Sequence, residues 1–512
     1  MGRAYCLTVA GLNLPCLSPV FVYNLGFKVH FGADMCMDKQ TAKQMRLSNH
    51  IRRLSAVIFM SVVLLAALCL ADQPSAKTSF HVDLPAQRSA AELEPESPFG
   101  INTAFRPGAA NLEEILQQMQ EAGIKWGRQD FTWRRIEKEK GRYDWEDYDR
   151  LVQMCHRYGI LLFGNLAYAP NFHDPTTAEG VQAYCDFASA TVRHFAGRVN
   201  FWQIWNEPNG GFWKGTPQQY AQLLVAAGAA IHQANPEAKV LGLNMAFCDI
   251  LWAEKILSLV PYDCFDIACF HPYRVPSAPE EQFDWWELDQ YVKSWHRQEL
   301  TPDYPLIKMD FLQQTDELIK VMAKFGKPKP IWITEICWNS HIHPYGSSEL
   351  RQADMAVRFY VLAIASGRIE KVFWWTFKDV GTRQFDQADM VGLVRSDLTP
   401  KYGFYAFAFM TRMLEGKKWV RNEVFGPEIY AAVFADEQGG KDTIVAWSTE
   451  PYAYIRVNND DGLDIYDIYG TRRFVPVDKI RTRSLPVPLG TSPIYIVGSK
   501  GLQAMVRPDP GW

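Results

Sequence analysis

From Pro98 onward the chain alternates short apolar, strand-like runs with segments whose apolar residues recur at helical spacing, and it does so eight times. Residues 99–102 read as the first strand; Asn111 then caps a helix whose inner face is Leu112, Ile115, Leu116 and Met119, and Gly123 stops it. Residues 124–128 are the second strand, followed by a helix around Tyr148 to His156 that Gly159 ends. Further strands are expected at 160–163, from Val199 to Glu207, at 239–243, at 265–270, at 330–335 and at 372–375. Helices are expected at 181–195, at 217–233 with Thr216 as cap and Pro217 at the first position, and at 402–413. Eight such units in about 320 residues imply an α/β chain built as a (β/α)8 TIM barrel, spanning residues 97–416.

After Gly416 the texture changes to short β-rich runs at 429–434, 443–447 and 494–497, punctuated by Gly439-Gly440 and by Asn458-Asn459-Asp460-Asp461-Gly462. That spacing predicts a C-terminal all-β sandwich accessory domain over 417–512. One barrel connection departs from the short-loop norm. Residues 274–310 carry Pro276, Pro279, Trp285, Trp286 and Trp295 after the sixth strand, and read as a cleft wall.

Two segments carry chemistry. Trp205-Asn206-Glu207-Pro208-Asn209 and Ile331-Trp332-Ile333-Thr334-Glu335 each put one glutamate at the end of a strand-like run. Parallel barrels do their chemistry at the C-terminal ends of their strands. Cleaving a glycosidic bond needs one carboxylic acid to protonate the leaving oxygen and, in a retaining mechanism, an ionised carboxylate about 5 Å away on the opposite face of the sugar. Glu207 is the expected acid/base and Glu335 the expected nucleophile, with Asn206 placed to hydrogen-bond a hydroxyl beside the anomeric carbon. Trp133, Tyr168 and His173 fall in loops of the same face.

An Asn-Glu-Pro after the fourth strand, paired with a glutamate ending the seventh, resembles the pattern of clan A glycoside hydrolases, which are retaining enzymes. The fuller texts around Glu207 and Glu335 look most like glycoside hydrolase family 39, which includes β-xylosidases, α-L-iduronidases and bacterial exopolysaccharide-cleaving enzymes. The resemblance covers roughly residues 97 to 416, and an appended β-sandwich is similar too. By this likeness Arg128 would hold the nucleophile ionised, His271 and Tyr273 would line the glycone pocket, and Trp374 or Trp375 would floor it. A sugar-binding barrel without turnover, or a transglycosylase sharing the covalent intermediate, are the alternatives that the same residues leave open.

Composition agrees with a carbohydrate partner. The chain holds 17 Trp and 22 Tyr, a load that fits both a large barrel core and a cleft in which flat rings pack on sugar faces. Net charge −4 gives no basic footprint, so no nucleic acid partner is expected. The glycine-rich stretches show no phosphate-cradling pattern, and no cofactor is expected. His341 and His343 form an H-x-H that lacks a third ligand of suitable spacing, so no metal is expected either. Cys155, Cys185, Cys248, Cys264, Cys269 and Cys337 are irregularly spaced, which indicates neither zinc nor a disulfide framework, and Cys269 and Cys337 sit in apolar runs as core residues.

The N-terminus reads as an address. Arg46, Arg52 and Arg53 precede an apolar run from Ala56 to Ala71, which is shorter than a spanning helix prefers. Residues 45–71 are therefore expected to be a signal peptide with cleavage near Ala71, sending the chain to a secreted or periplasmic location without a stable membrane partner. Residues 72–96 follow as a linker. Met45 opens a segment that is complete as a signal in itself, which predicts that translation starts there and that 1–44 is a non-native upstream extension.

Overall fold

The computed structural model describes residues 8–9, 12–13, 96–105, 111–282, 309–344, 346–424, 427–451, 453–458, 462–475 and 484–505. The expected signal peptide and upstream extension, and Trp285, Trp286 and Trp295 of the long connection, lie outside them. The chain forms two compact units, Met1–Asp83 and Leu84–Trp512. In the first, Thr8–Val9 and Leu12–Asn13 pair antiparallel.

The second unit contains the barrel. Its strands are β1 (Phe99–Asn102), β2 (Trp126–Thr132), β3 (Leu161–Ala167), β4 (Phe201–Ile204), β5 (Lys239–Ala246), β6 (Ile267–His271), β7 (Ile331–Ile336) and β8 (Ile369–Trp374). They close in sequence order, every pairing parallel, with β8 hydrogen-bonded back to β1 through Val372 opposite Phe99. The crossover helices are α1 (Leu112–Glu121), α2 (Glu146–Arg157), α3 (Ala178–His194), α4 (Pro217–Ala234), α5 (Ile250–Leu257), α6 (Phe311–Ala323), α7 (Glu349–Ile364) and α8 (Tyr402–Leu414).

Local chemistry accounts for where these elements begin and end. The Thr216 side chain accepts from Gln219 N–H and the Gln219 side chain accepts from Thr216 N–H, a reciprocal cap that starts α4 at Pro217. Gly123 and Gly159 follow α1 and α2 at φ of +69° and +72°, a region that costs glycine nothing. Asn111 occupies the position before α1, but its side chain makes no capping hydrogen bond. Several strand ends differ from the sequence expectation: β3 runs on to Ala167 and β5 to Ala246. β2 runs on to Thr132 because all seven of its residues pair with β3, and β4 stops at Ile204, before Glu207.

Inside the barrel, Trp126, Phe163, Leu241, Ile267, Cys269, Trp332 and Phe373 pack into one plug. The strands' outer residues bury against the helices in a second, larger core. Six of the 17 tryptophans are spent here: Trp126, Trp133, Trp202, Trp332, Trp338 and Trp374 are all fully buried.

Beyond α8 the described residues form nine antiparallel strands: β9 (Lys418–Val424), β10 (Ile429–Ala435), β11 (Asp442–Ser448), β12 (Ala453–Asn458), β13 (Leu463–Tyr466), β14 (Arg472–Val475), β15 (Ser484–Leu489), β16 (Ile494–Gly498) and β17 (Gln503–Met505). They form a six-stranded sheet ordered β9-β10-β11-β16-β13-β14 and a three-stranded sheet ordered β15-β12-β17. Val433, Ile444, Ile455, Val457, Val487 and Ile496 from both sheets share one apolar cluster, which makes the pair a sandwich. Among the described residues no helix is long and apolar enough to cross a membrane, and all six described cysteines are free.

Candidate active site

The polypeptide leaving β4 turns sharply. Trp205 and Glu207 both adopt left-handed backbone, at φ of +64° and +42°. Such residues carry strain of order 1–3 kcal/mol each and persist only where surrounding contacts fix them. Here the contacts are visible. Trp205 Nε1 donates to Phe212 O at 3.0 Å, Glu207 N–H to Asn244 O at 3.0 Å, and Asn209 Nδ2 to Ala246 O at 3.0 Å while its Oδ1 accepts from Ala246 N–H at 2.8 Å. The turn explains why β4 ends three residues early: it lifts Glu207 out of the ladder and over the barrel mouth. Ala104, Tyr168, Leu243, Asn244, Phe247 and Leu398, the other described non-glycine residues at positive φ, lie toward or beyond the C-terminal ends of barrel strands as well.

Glu335 reaches the same place from within β7. Its Oε1 accepts from Arg128 Nη1 at 2.8 Å and its Oε2 from the Tyr273 hydroxyl at 2.6 Å. Arg128, on β2, is buried. It also donates to Asn102 Oδ1 at 2.8 Å, to Asn206 Oδ1 at 2.6 Å and to Gln203 Oε1 at 3.3 Å, so a fully desolvated guanidinium is satisfied on every side. Burial alone would lower its pKa; Glu335 and Asp130 outweigh that and raise it. Arginine has no acceptor, so its bond to Asn206 fixes that amide with oxygen inward and Nδ2 as the remaining donor.

His271, at the end of β6, links the two glutamates. Its Nδ1 lies 2.8 Å from Glu207 Oε1 and 3.7 Å from Glu335 Oε2, and its Nε2 lies 3.0 Å from Thr334 Oγ1. The ligand atoms of Glu207, His271 and Glu335 all fall within 4.8 Å of one another. Such a trio has the spacing of a cation site, but also that of two carboxylates sharing a bridging imidazole. Burial, and then the Glu335 charge, push the Tyr273 hydroxyl well above the usual tyrosine range, which keeps it a donor.

The structure thus brings Glu207, Glu335, Asn206, Arg128, His271 and Tyr273 into one network. Trp374 and Trp375 separate. Trp374 is fully buried, stacked on Trp338 at 6.3 Å with its Nε1 donating to Val391 O, whereas Trp375 retains exposed surface. Of the pair expected to floor the pocket, the Trp374 indole is committed to the core and only Trp375 keeps accessible surface. Trp133 is likewise buried, donating to Glu137 Oε2 at 2.5 Å with His173 stacked on it at 5.0 Å. Sequence reasoning missed Asn102, Gln203, Thr334 and Asn165, which join Arg128 and one another in a polar layer across the barrel top: Asn102 Nδ2 donates to Thr334 O, and Gln203 Nε2 to Asn165 Oδ1. The signal was present as polar residues near the C-terminal ends of otherwise apolar strands.

A parallel eightfold barrel with an appended β-sandwich also describes several known structures. The chain is similar to a family 39 glycoside hydrolase from Bacteroides cellulosilyticus, at 22% identity and a TM-score of 0.62, over 79% of this chain and 81% of that one. It is similar to a family 39 β-xylosidase from Caulobacter crescentus at 16% identity and 0.55, over 81% of this chain and 98% of that one. A family 30 endoxylanase from Clostridium papyrosolvens matches at 12% identity and 0.54, over 80% and 98%. The fold is shared with family 39 and family 30 glycoside hydrolases. The sequence model of the beta-galactosidase family, glycoside hydrolase family 42, matches residues 106–165, a stretch that includes β2 and Arg128. No curated protein matches the chain by sequence.

Proposed function

We propose that the chain is an exported retaining glycoside hydrolase that cleaves an O-glycosidic bond of an oligosaccharide or polysaccharide by double displacement. The observation that carries this reading is the pair Glu207 and Glu335, one oxygen of each carboxylate lying within 4.8 Å of the other on the barrel rim. That is the short separation at which the second carboxylate attacks directly, not through an interposed water. Glu335 would attack the anomeric carbon as Glu207 gives its proton to the departing oxygen. Water, losing a proton to Glu207, would then displace Glu335 and release the sugar with retained configuration. Arg128 and Tyr273 orient the Glu335 carboxylate along its attack line, His271 holds Glu207 beside the leaving group, and Asn206 Nδ2 is the donor to a sugar hydroxyl. Export rests on the Arg46 to Ala71 pattern.

The test is a panel of aryl β-glycosides and polysaccharides, followed by reducing-end release, with the wild type, Glu335→Ala and Glu207→Ala. Turnover by the wild type and none by Glu335→Ala is expected. Glu207→Ala should retain far more activity on aryl glycosides with good leaving groups than on natural glycans, because those need little protonation. Equal losses on both classes would show that Glu207 is not the acid.

A further inference from the structure

Asp130 places a third carboxylate at the mouth of the barrel. Inward side chains alternate along a strand, and on β2 they climb from the closed end. Trp126 joins the apolar plug, Arg128 stands in the polar layer above it, and Asp130 comes next toward the mouth. Asp130 Oδ1 accepts from Asn165 Nδ2 at 2.7 Å. Asn165 is fully buried and its own Oδ1 is taken by Gln203, so this amide holds the carboxylate from below. Asp130 itself is partly exposed and forms no ion pair among the described residues. Its charge is felt across the site. Together with Glu335 it raises the pKa of Arg128 against burial, and after burial it is the strongest cause of the raised Tyr168 hydroxyl, ahead of Glu335 and Glu207.

A carboxylate set near two others without a cation of its own is unfavourable for the empty protein. Arg128 does not relieve this, because its donors are spent on Glu335, Asn102, Asn206 and Gln203. Arg134, whose guanidinium lies 5.5 Å from the Tyr168 ring centroid, is exposed to water. Asp130 therefore offers the cleft an acceptor with room for further hydrogen bonds. Its place decides what meets it. β2 stands four strands from β6 either way round the closed barrel, across the mouth from the connection that bears His271 and Tyr273. A pyranose whose anomeric carbon meets Glu335 turns its far hydroxyls toward Asp130. Those hydroxyls can donate, whereas an ionised carboxylate on the sugar cannot, and it would face three protein carboxylates against one buried guanidinium. We infer that Asp130 is a specificity-determining residue, which accepts from ring hydroxyls of the sugar being transferred and restricts that sugar to neutral ones. The inference rests on the glycosidase reading and narrows its substrate class: uronic acids are excluded at the cleaved position.

Calorimetric titration of the full chain tests this without needing turnover. The probes are β-linked disaccharides whose non-reducing sugar is xylose, glucose, galactose, glucuronic acid or galacturonic acid, titrated into the wild type, Asp130→Ala and Asp130→Asn. The wild type should bind at least one neutral disaccharide about tenfold or more tightly than either acidic one. Asp130→Ala should weaken that binding about tenfold to a hundredfold, the scale of a hydrogen bond to a charged group. Asp130→Asn keeps an oxygen for Asn165 and so guards against a loss of fold, and by removing the charge it should narrow the gap between neutral and acidic sugars. Acidic sugars bound as tightly as neutral ones, no loss in Asp130→Ala, an unchanged gap in Asp130→Asn, or no wild-type binding of any disaccharide would overturn the assignment. Product release is followed on the same probes. Discrimination in binding without release would keep the role of Asp130 and count against the hydrolase, whereas release from the acidic probes would keep the hydrolase and overturn the role of Asp130.

Discussion

At the scale of single residues, the chemistry turns on how Arg128 and Tyr273 address Glu335. Each donates to a different oxygen of that carboxylate, and a hydrogen bond to a charged acceptor is stronger than a neutral one. Tyr273→Phe removes the hydroxyl that donates to Glu335 Oε2. It is expected to lower kcat about tenfold to a hundredfold on the cleaved substrate, the range for one hydrogen bond to a charge. Burial and the Glu335 charge keep the phenol protonated well past its ordinary range. The alkaline limb of the rate profile therefore belongs to another group, and its midpoint should be the same in Tyr273→Phe. A pH–rate profile of both proteins checks this, and a shifted alkaline midpoint would mean that the tyrosine titrates. Glu207 and Glu335 were legible in sequence because each follows an apolar, strand-like run, and Arg128 only through the likeness to family 39. Asn102 and Thr334 were not, since a polar residue inside a strand says nothing of its partners until the barrel closes.

At the scale of elements, all eight strands were legible from period and length, but their ends were set by pairing. β2 gains four residues from β3, and β4 loses three to the left-handed turn at Trp205 and Glu207. The closed end of the barrel holds a feature that strand patterning cannot show. Lys371 of β8 is 6% exposed, with its Nζ 4.7 Å and 5.4 Å from the ring centroids of Trp126 and Trp332 and 3.1 Å from Ser97 O. Burial pushes its pKa down from 10.5 to about 8. The folded state therefore disfavours the charged form. That penalty is complete below pH 8, relaxes between 8 and 10.5 where the unfolded chain binds the extra proton, and is gone above. Lys371→Met should stabilise the protein by about 1–3 kcal/mol at neutral pH, a buried charge being replaced by a side chain of similar length. The gap to wild type in urea unfolding should narrow as pH rises from 8 to 10.5. A gap that widens instead would show that the two indoles stabilise the charge more than burial penalises it.

At the scale of the whole molecule, the sandwich meets the barrel at α7, at α8 and at the connection that carries Tyr273. Glu280, which follows β6, accepts from Arg358 Nε of α7 at 2.7 Å and from Trp447 Nε1 of β11 at 2.6 Å, so one carboxylate oxygen ties the two folds together. Both members of the ion pair are buried, at 5% and 1% side-chain exposure. Glu280→Ala would strand the Arg358 charge, and a loss of about 3–5 kcal/mol in unfolding free energy is expected by denaturant titration. A loss below about 1 kcal/mol would class the pair with surface bridges. The sandwich was legible as β-rich texture after Gly416, but this attachment was not, because it joins residues 167 apart. In double displacement Glu335 becomes covalently bound to the sugar. The direct measurement is to incubate the protein with activated 2-deoxy-2-fluoro β-glycosides of xylose, glucose and galactose, digest it, and locate the added mass by peptide sequencing in the mass spectrometer. A single fluorosugar on Glu335 is the expected result; a label on any other residue would contradict the assignment.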